Sequence, residues 1–176
     1  MRTLLAVVLV ALCSTVVYAE PTLGEQAPAQ LNFGRLWLSG SLGALVGGVG
    51  GAVGAYLVCI NLTPRGPWAD LVCLAGSLFY GYLPGVPIGA TIGVSLSGAR
   101  QQVRGNVGMA ALGAVLGGAA AVALSQILAN SLLNQPGWQS LQDFFVPFFL
   151  FIGVPASAGW GAAWGYSMGA KPVEAP

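Results

Sequence analysis

Apolar positions in this chain form long runs, and charged positions are confined to the gaps between them. Four runs stand out, Leu36 to Cys59, Leu71 to Ser97, Val107 to Asn130 and Phe144 to Gly169. Each reaches the length of about 20 residues that an α-helix needs to cross bilayer hydrocarbon. None alternates apolar and polar residues over about ten positions, as a transmembrane β-strand does. The pattern predicts an all-α membrane protein with four transmembrane helices. A shorter apolar run, Leu4 to Leu12, follows Met1-Arg2-Thr3 and leads to Val17-Tyr18-Ala19, whose small residues suit a signal peptidase. Residues 1–19 thus read as an export signal cleaved after Ala19. Residues 20–35 carry Glu20, Pro21, Glu25 and Pro28 without periodicity and are expected to form a flexible lead, and 171–176 a free tail.

Small residues within the runs recur at every fourth position. The first run has Ser39, Gly43, Gly47, Gly51 and Ala55, with Gly40, Ala44, Gly48 and Ala52 as an adjoining row. The second has Gly81, Gly85, Gly89, Gly93 and Ser97; the third, Gly113, Gly117, Ala121 and Ser125; the fourth, Gly153, Ser157, Gly161, Gly165 and Gly169. Residues four apart share one helix face, and glycine there lets two backbones approach closely. Glycine weakens a helix by up to about 1 kcal/mol relative to alanine, so four such rows predict glycine-zipper packing rather than chance.

The chain also repeats itself. Leu42-Gly43-Ala44-Leu45-Val46-Gly47-Gly48 returns as Leu112-Gly113-Ala114-Val115-Leu116-Gly117-Gly118 at an offset of 70, and Gly85-Val86-Pro87 returns as Gly153-Val154-Pro155 at 68. This predicts two tandem helical hairpins, 36–98 and 107–170, joined by a loop at 99–106. Two spans per unit give both copies the same orientation, a parallel repeat. The second helix of each hairpin carries prolines, Pro84 and Pro87 in one and Pro147 and Pro155 in the other. Each removes a backbone donor and predicts a kink, with Thr91, Ser95 and Ser157 near enough to take up freed carbonyls.

Cys59 and Cys73 flank the first hairpin loop. A disulfide is open to them in an oxidising compartment, but Ala129 and Asp143 stand at the corresponding places of the second hairpin, so the balance favours free, buried thiols. Cleavage after Ala19 would export Arg35, the Arg100 to Arg104 loop and Lys171 and leave Arg65 inside. That is the reverse of the usual excess of cations on the cytoplasmic side.

Composition narrows the chemistry. The 176 residues include 27 glycines, six basic and five acidic residues and no histidine, with 56% hydrophobic. No acidic, basic or histidine residue falls inside a run, which withdraws support from proton relays and voltage sensors. Without histidine, and with no base beside any serine, neither metal ligation nor nucleophilic catalysis is expected, so we expect no enzyme and no cofactor. The near-neutral charge gives no phosphate-binding stripe, so no nucleic-acid partner is expected.

The rows Gly43 to Ala55 and Gly81 to Ser97 resemble those of the glycine-zipper membrane proteins of bacterial envelopes. The resemblance implies an integral membrane protein of the cell envelope, in the inner rather than the outer membrane, whose partners are lipid and either further copies of itself or a larger membrane complex. The expected role is a structural or assembly subunit. The alternatives are a small-solute channel lined by the kinked helices, and a lipid or pigment binder using grooves beside Trp160 and Trp164.

Overall fold

Asn32 starts the first helix. Its side chain accepts a hydrogen bond from the Arg35 amide at 3.2 Å, satisfying one of the donors left open at a helix N-terminus, and α1 runs Phe33–Leu62. The structure, a computed structural model, describes residues 31–63, 66, 68–132 and 147–172. The expected signal at 1–19, most of the lead at 20–35 and the first residues of the fourth run lie outside that set. Within it, Phe33, Gly34 and Arg35 are helical, which corrects the boundary of the lead. At the far end Thr63 is extended, φ −92° and ψ 131°, as expected of a residue before proline.

Helix α2 spans Ala69–Arg100. It begins as an α-helix over Ala69–Ser77, widens into a π turn at Leu78–Tyr82 and resumes as an α-helix over Leu83–Arg100. Helix α3 runs Val107–Leu132, and its start repeats the device of α1, with the Met109 amide donating to the Asn106 side chain at 3.1 Å. Helix α4, Val154–Ser167, follows a second π turn at Phe149–Gly153. Both π turns end two residues before a proline, Pro84 in one and Pro155 in the other, so the break in the hydrogen-bond ladder is absorbed by a wider turn.

Gly169 was expected to close the fourth packing row. It instead has φ +97°, with open space where a side chain would stand, and serves to end α4 in the left-handed conformation that glycine adopts without strain. The chain then returns as β2, Lys171–Pro172, pairing antiparallel with β1, Val103–Arg104. The start of the expected free tail is therefore a strand, and part of the 99–106 loop is its partner.

Four helices are described, and three of them, Phe33–Leu62, Ala69–Arg100 and Val107–Leu128 as far as side chains are described, are long and apolar enough to cross a membrane. Helix α1 packs on α2 and α4, α3 packs on α4, and α2 touches both α3 and α4. The interior is built from small residues, with Ala44, Ala90, Ala110, Ala114, Ala158 and Ala162 fully buried. Large apolar side chains such as Leu38, Leu57, Ile88, Ile92, Leu112 and Leu116 stand outside. That inverts the arrangement of a water-soluble bundle, where large apolar residues fill the core.

Cys59 and Cys73 form a disulfide with a Cα–Cα separation of 5.5 Å. The expectation of free thiols is corrected: the short connection after Thr63 brings the last turn of α1 alongside the first turns of α2. The Thr63 hydroxyl lies 3.6 and 3.8 Å from the two sulfurs.

Candidate functional site

Two seams of small residues hold the helices together. In the first, a side chain added at Gly43, Gly47 or Gly51 would meet the carbonyl oxygen of Gly89, Gly85 or Gly81, and the reverse holds for each pair. Gly93 faces the Ser39 carbonyl in the same way. In the second seam Gly113 and Gly161 face each other's carbonyls, Gly117 faces that of Ser157, and Gly165 that of Met109. The hydrogen that a side chain would replace is thus aimed at a carbonyl across the seam, the geometry of a Cα–H···O contact, each worth about 0.5–1 kcal/mol. Gly153, like Gly169, departs from the expected seam, since its neighbour is the Phe149 ring of its own π turn.

The adjoining row of α1 has a second partner. Gly40 lies against Val94 and the Gly159 backbone, Gly48 lies against Tyr82 and Val86, and Gly159 lies against Ser41. One helix therefore presents small residues on two adjacent faces, one toward α2 and the other toward α4 and the inner side chains of α2.

The prolines and hydroxyls are arranged differently from expectation. Thr91 donates to the Pro87 carbonyl at 2.8 Å, Ser95 to Thr91 at 2.7 Å and Ser157 to Gly153 at 2.7 Å, all within their own helices. None of them reaches the carbonyl that the next proline leaves without a donor. In α4 that role falls to Tyr82, which donates across the bundle to the Leu150 carbonyl. Pro87 lies within the α-helical part of α2, and Pro147 lies just before the second π turn. Trp160 meets Phe33 and Trp37 edge-on, with centroids 5.1 and 6.0 Å apart, and the Trp37 indole donates to the Ala156 carbonyl at 3.0 Å. Trp160 and Trp164 remain more than half exposed.

The ends of the bundle differ. The start of α1, the end of α2, the start of α3 and the end of α4 come together, bringing Arg35, Arg100, Arg104 and Lys171 to one end, all exposed. The Asn32 amide donates to the Gln101 side chain at 2.7 Å, tying α1 to the end of α2. The Tyr166 hydroxyl donates to the Val103 carbonyl at 3.1 Å, tying α4 to β1, and Gly98 and Gly105 lie against its ring. Gln102, at φ 53°, turns the chain from α2 into β1. The disulfide and Asp70 mark the opposite end. Of these features, the β pairing and the tyrosine bonds carry no periodic signal in the sequence; Gly98 and Gly105, outside the glycine rows, are the available hint.

Comparison with protein-family models, with curated proteins and with solved structures finds no match.

Proposed function

We propose that this chain is a non-enzymatic integral membrane protein of a bacterial cell envelope, a four-span bundle that acts as a structural or assembly subunit. The observation that carries the reading is the inverted interior, with glycine backbone against glycine backbone inside and most leucine and isoleucine side chains outside. In lipid, where apolar side chains gain nothing by leaving the solvent, close packing of small-residue faces is the available source of helix association. Glycines beyond those in contact, Gly50 and Gly54 on α1 and Gly76 on α2, have open space around them, which supports further helix contacts with another subunit.

The four spans form two glycine-zipped hairpins of one repeat. Asn32 and Asn106 cap the first helix of each, an offset of 74. The buried row Val86, Ala90, Val94 and Gly98 recurs as Val154, Ala158, Ala162 and Tyr166, an offset of 68. The first helices thus align one turn away from the offset of 70 that the Leu42 and Leu112 strings suggest, and this alignment also makes Gly43/Gly89 and Gly117/Ser157 equivalent pairs. Back-bonded hydroxyls on Thr91, Ser95 and Ser157 draw support away from the channel alternative.

The disulfide favours an oxidising compartment for its own end of the bundle. The four cations at the other end favour the cytoplasmic side there, so the two signals select one orientation. Crosslinking and native mass spectrometry of the chain extracted from membranes test the assembly reading. We expect higher-order species or a co-purifying membrane partner; a strict monomer with neither overturns it.

A further inference from the structure

The antiparallel register of β1 and β2 sets Arg104 directly opposite Lys171. Like charges at facing positions of a strand pair repel, so this pairing calls for a counter-charge. None is built into this end from the described residues: Arg35 and Arg100 add two more exposed cations, none of the four makes an ion pair among the described residues, and the one described acid, Asp70, starts α2 at the opposite end. Glu20, Glu25, Asp143 and Glu174 lie outside the described residues. The cations are not on loose chain. Asn32 to Gln101, Tyr166 to Val103 and the strand pair fix their segments to one another.

We propose that this basic end is a docking surface for the headgroups of anionic phospholipids, centred on Arg104 and Lys171. The inference rests on the membrane reading above and names a lipid class for it. A headgroup phosphate supplies the missing charge, and the guanidinium of Arg104 offers it two parallel donors. Trp37, Trp160 and Trp164 lie within the adjoining turns of α1 and α4, where interfacial aromatic side chains mark headgroup depth. Basic clusters just beyond a span are drawn to anionic leaflets.

The test is the full chain in nanodiscs of equimolar phosphatidylglycerol and phosphatidylcholine, with retained lipids counted by native mass spectrometry. Phosphatidylglycerol is expected to be enriched, and the enrichment to fall about fivefold for each cation neutralised in Arg104→Gln and Lys171→Gln. The pair Arg104→Lys with Lys171→Arg keeps both charges and is expected to keep the enrichment, as is Arg65→Gln at the far end. Equal retention of the two lipids, a charge-preserving pair that loses as much as the neutral one, or an Arg65→Gln loss equal to theirs each overturns the proposal. Retention of added inorganic phosphate without enrichment of phosphatidylglycerol overturns it in favour of a soluble-anion site. A chain that does not enter these nanodiscs overturns the membrane reading itself, and does so before any lipid is counted.

Discussion

The hydroxyl of Tyr82 donates to the carbonyl of Leu150, joining the π turn of α2 to the π turn of α4. The acceptor is the one the local chemistry leaves open. In the π ladder Val154 donates to Phe149, and the next donor would be residue 155, which is proline and has no N–H to offer Leu150. A buried carbonyl without a partner is costly where no water is present, so the phenol closes a gap created by its neighbour's sequence.

Tyr82→Phe removes that bond and little else. The expected loss is about 1 kcal/mol, within the range of interhelical hydrogen bonds in membranes, because the Tyr82 ring still packs against Gly48 and Phe151. Unfolding of the detergent-solubilised chain in a denaturing surfactant measures it. An unchanged midpoint would mean that the Leu150 carbonyl has another donor.

The glycines divide into two classes that substitution separates. Alanine at Gly89 would put its Cβ on the Gly43 carbonyl, so α1 and α2 must move apart; overpacking of this kind costs about 1–3 kcal/mol. Alanine at Gly50 meets nothing within 4 Å and gains helix propensity of up to about 1 kcal/mol. The same unfolding assay is expected to show Gly89→Ala destabilised and Gly50→Ala unchanged or stabilised. If Gly50→Ala also loses higher-order species on crosslinking, the open glycine face is the one used for assembly.

Much of this was legible because long apolar runs and helix periodicity write themselves into sequence at fixed spacings. The rows through Gly43, Gly47 and Gly51 and through Gly81, Gly85 and Gly89 point at one another because four-residue spacing defines a face. The seam register is less accessible. Matching the strings at Leu42 and Leu112 places the proposed repeat one helical turn from the alignment that fits Asn32, Asn106 and the buried rows, since small-residue strings look alike after a shift of four. Bonds across the bundle, such as those of Tyr82 and Tyr166, and the pairing of Arg104 with Lys171 depend on where helices end. Those ends are set by single residues, among them Asn106, Gln102 and Gly169, rather than by a repeated pattern.

The disulfide closes a loop with a sequence separation of 14. A cross-link of that span constrains the unfolded chain by about 3 kcal/mol, so Cys59→Ser with Cys73→Ser is expected to lower stability by up to that amount. In a Cys13→Ser background, a maleimide reagent is expected to label the protein only after reduction. Labelling at full extent without reductant, under denaturing conditions, would show two free thiols.

Orientation and processing are coupled through the same bridge. If the Arg65 end faces the oxidising side, Arg35 and the Arg100 to Arg104 segment face the cytoplasm. Cleavage after Ala19 would instead deliver Glu20, and with it the start of α1, to the exported side, so the two cannot hold together. Positive charge agrees with the bridge, since Arg35, Arg100, Arg104 and Lys171 then lie inside with Arg65 outside. The expected outcome is a membrane-bound chain that keeps its first 19 residues, with protease added outside unable to cut at Arg100 or Arg104. N-terminal sequencing of the membrane fraction combined with that accessibility measurement decides it. A chain beginning at Glu20 and cut at Arg104 from outside would place the Arg65 end in the cytoplasm, where the disulfide would not persist.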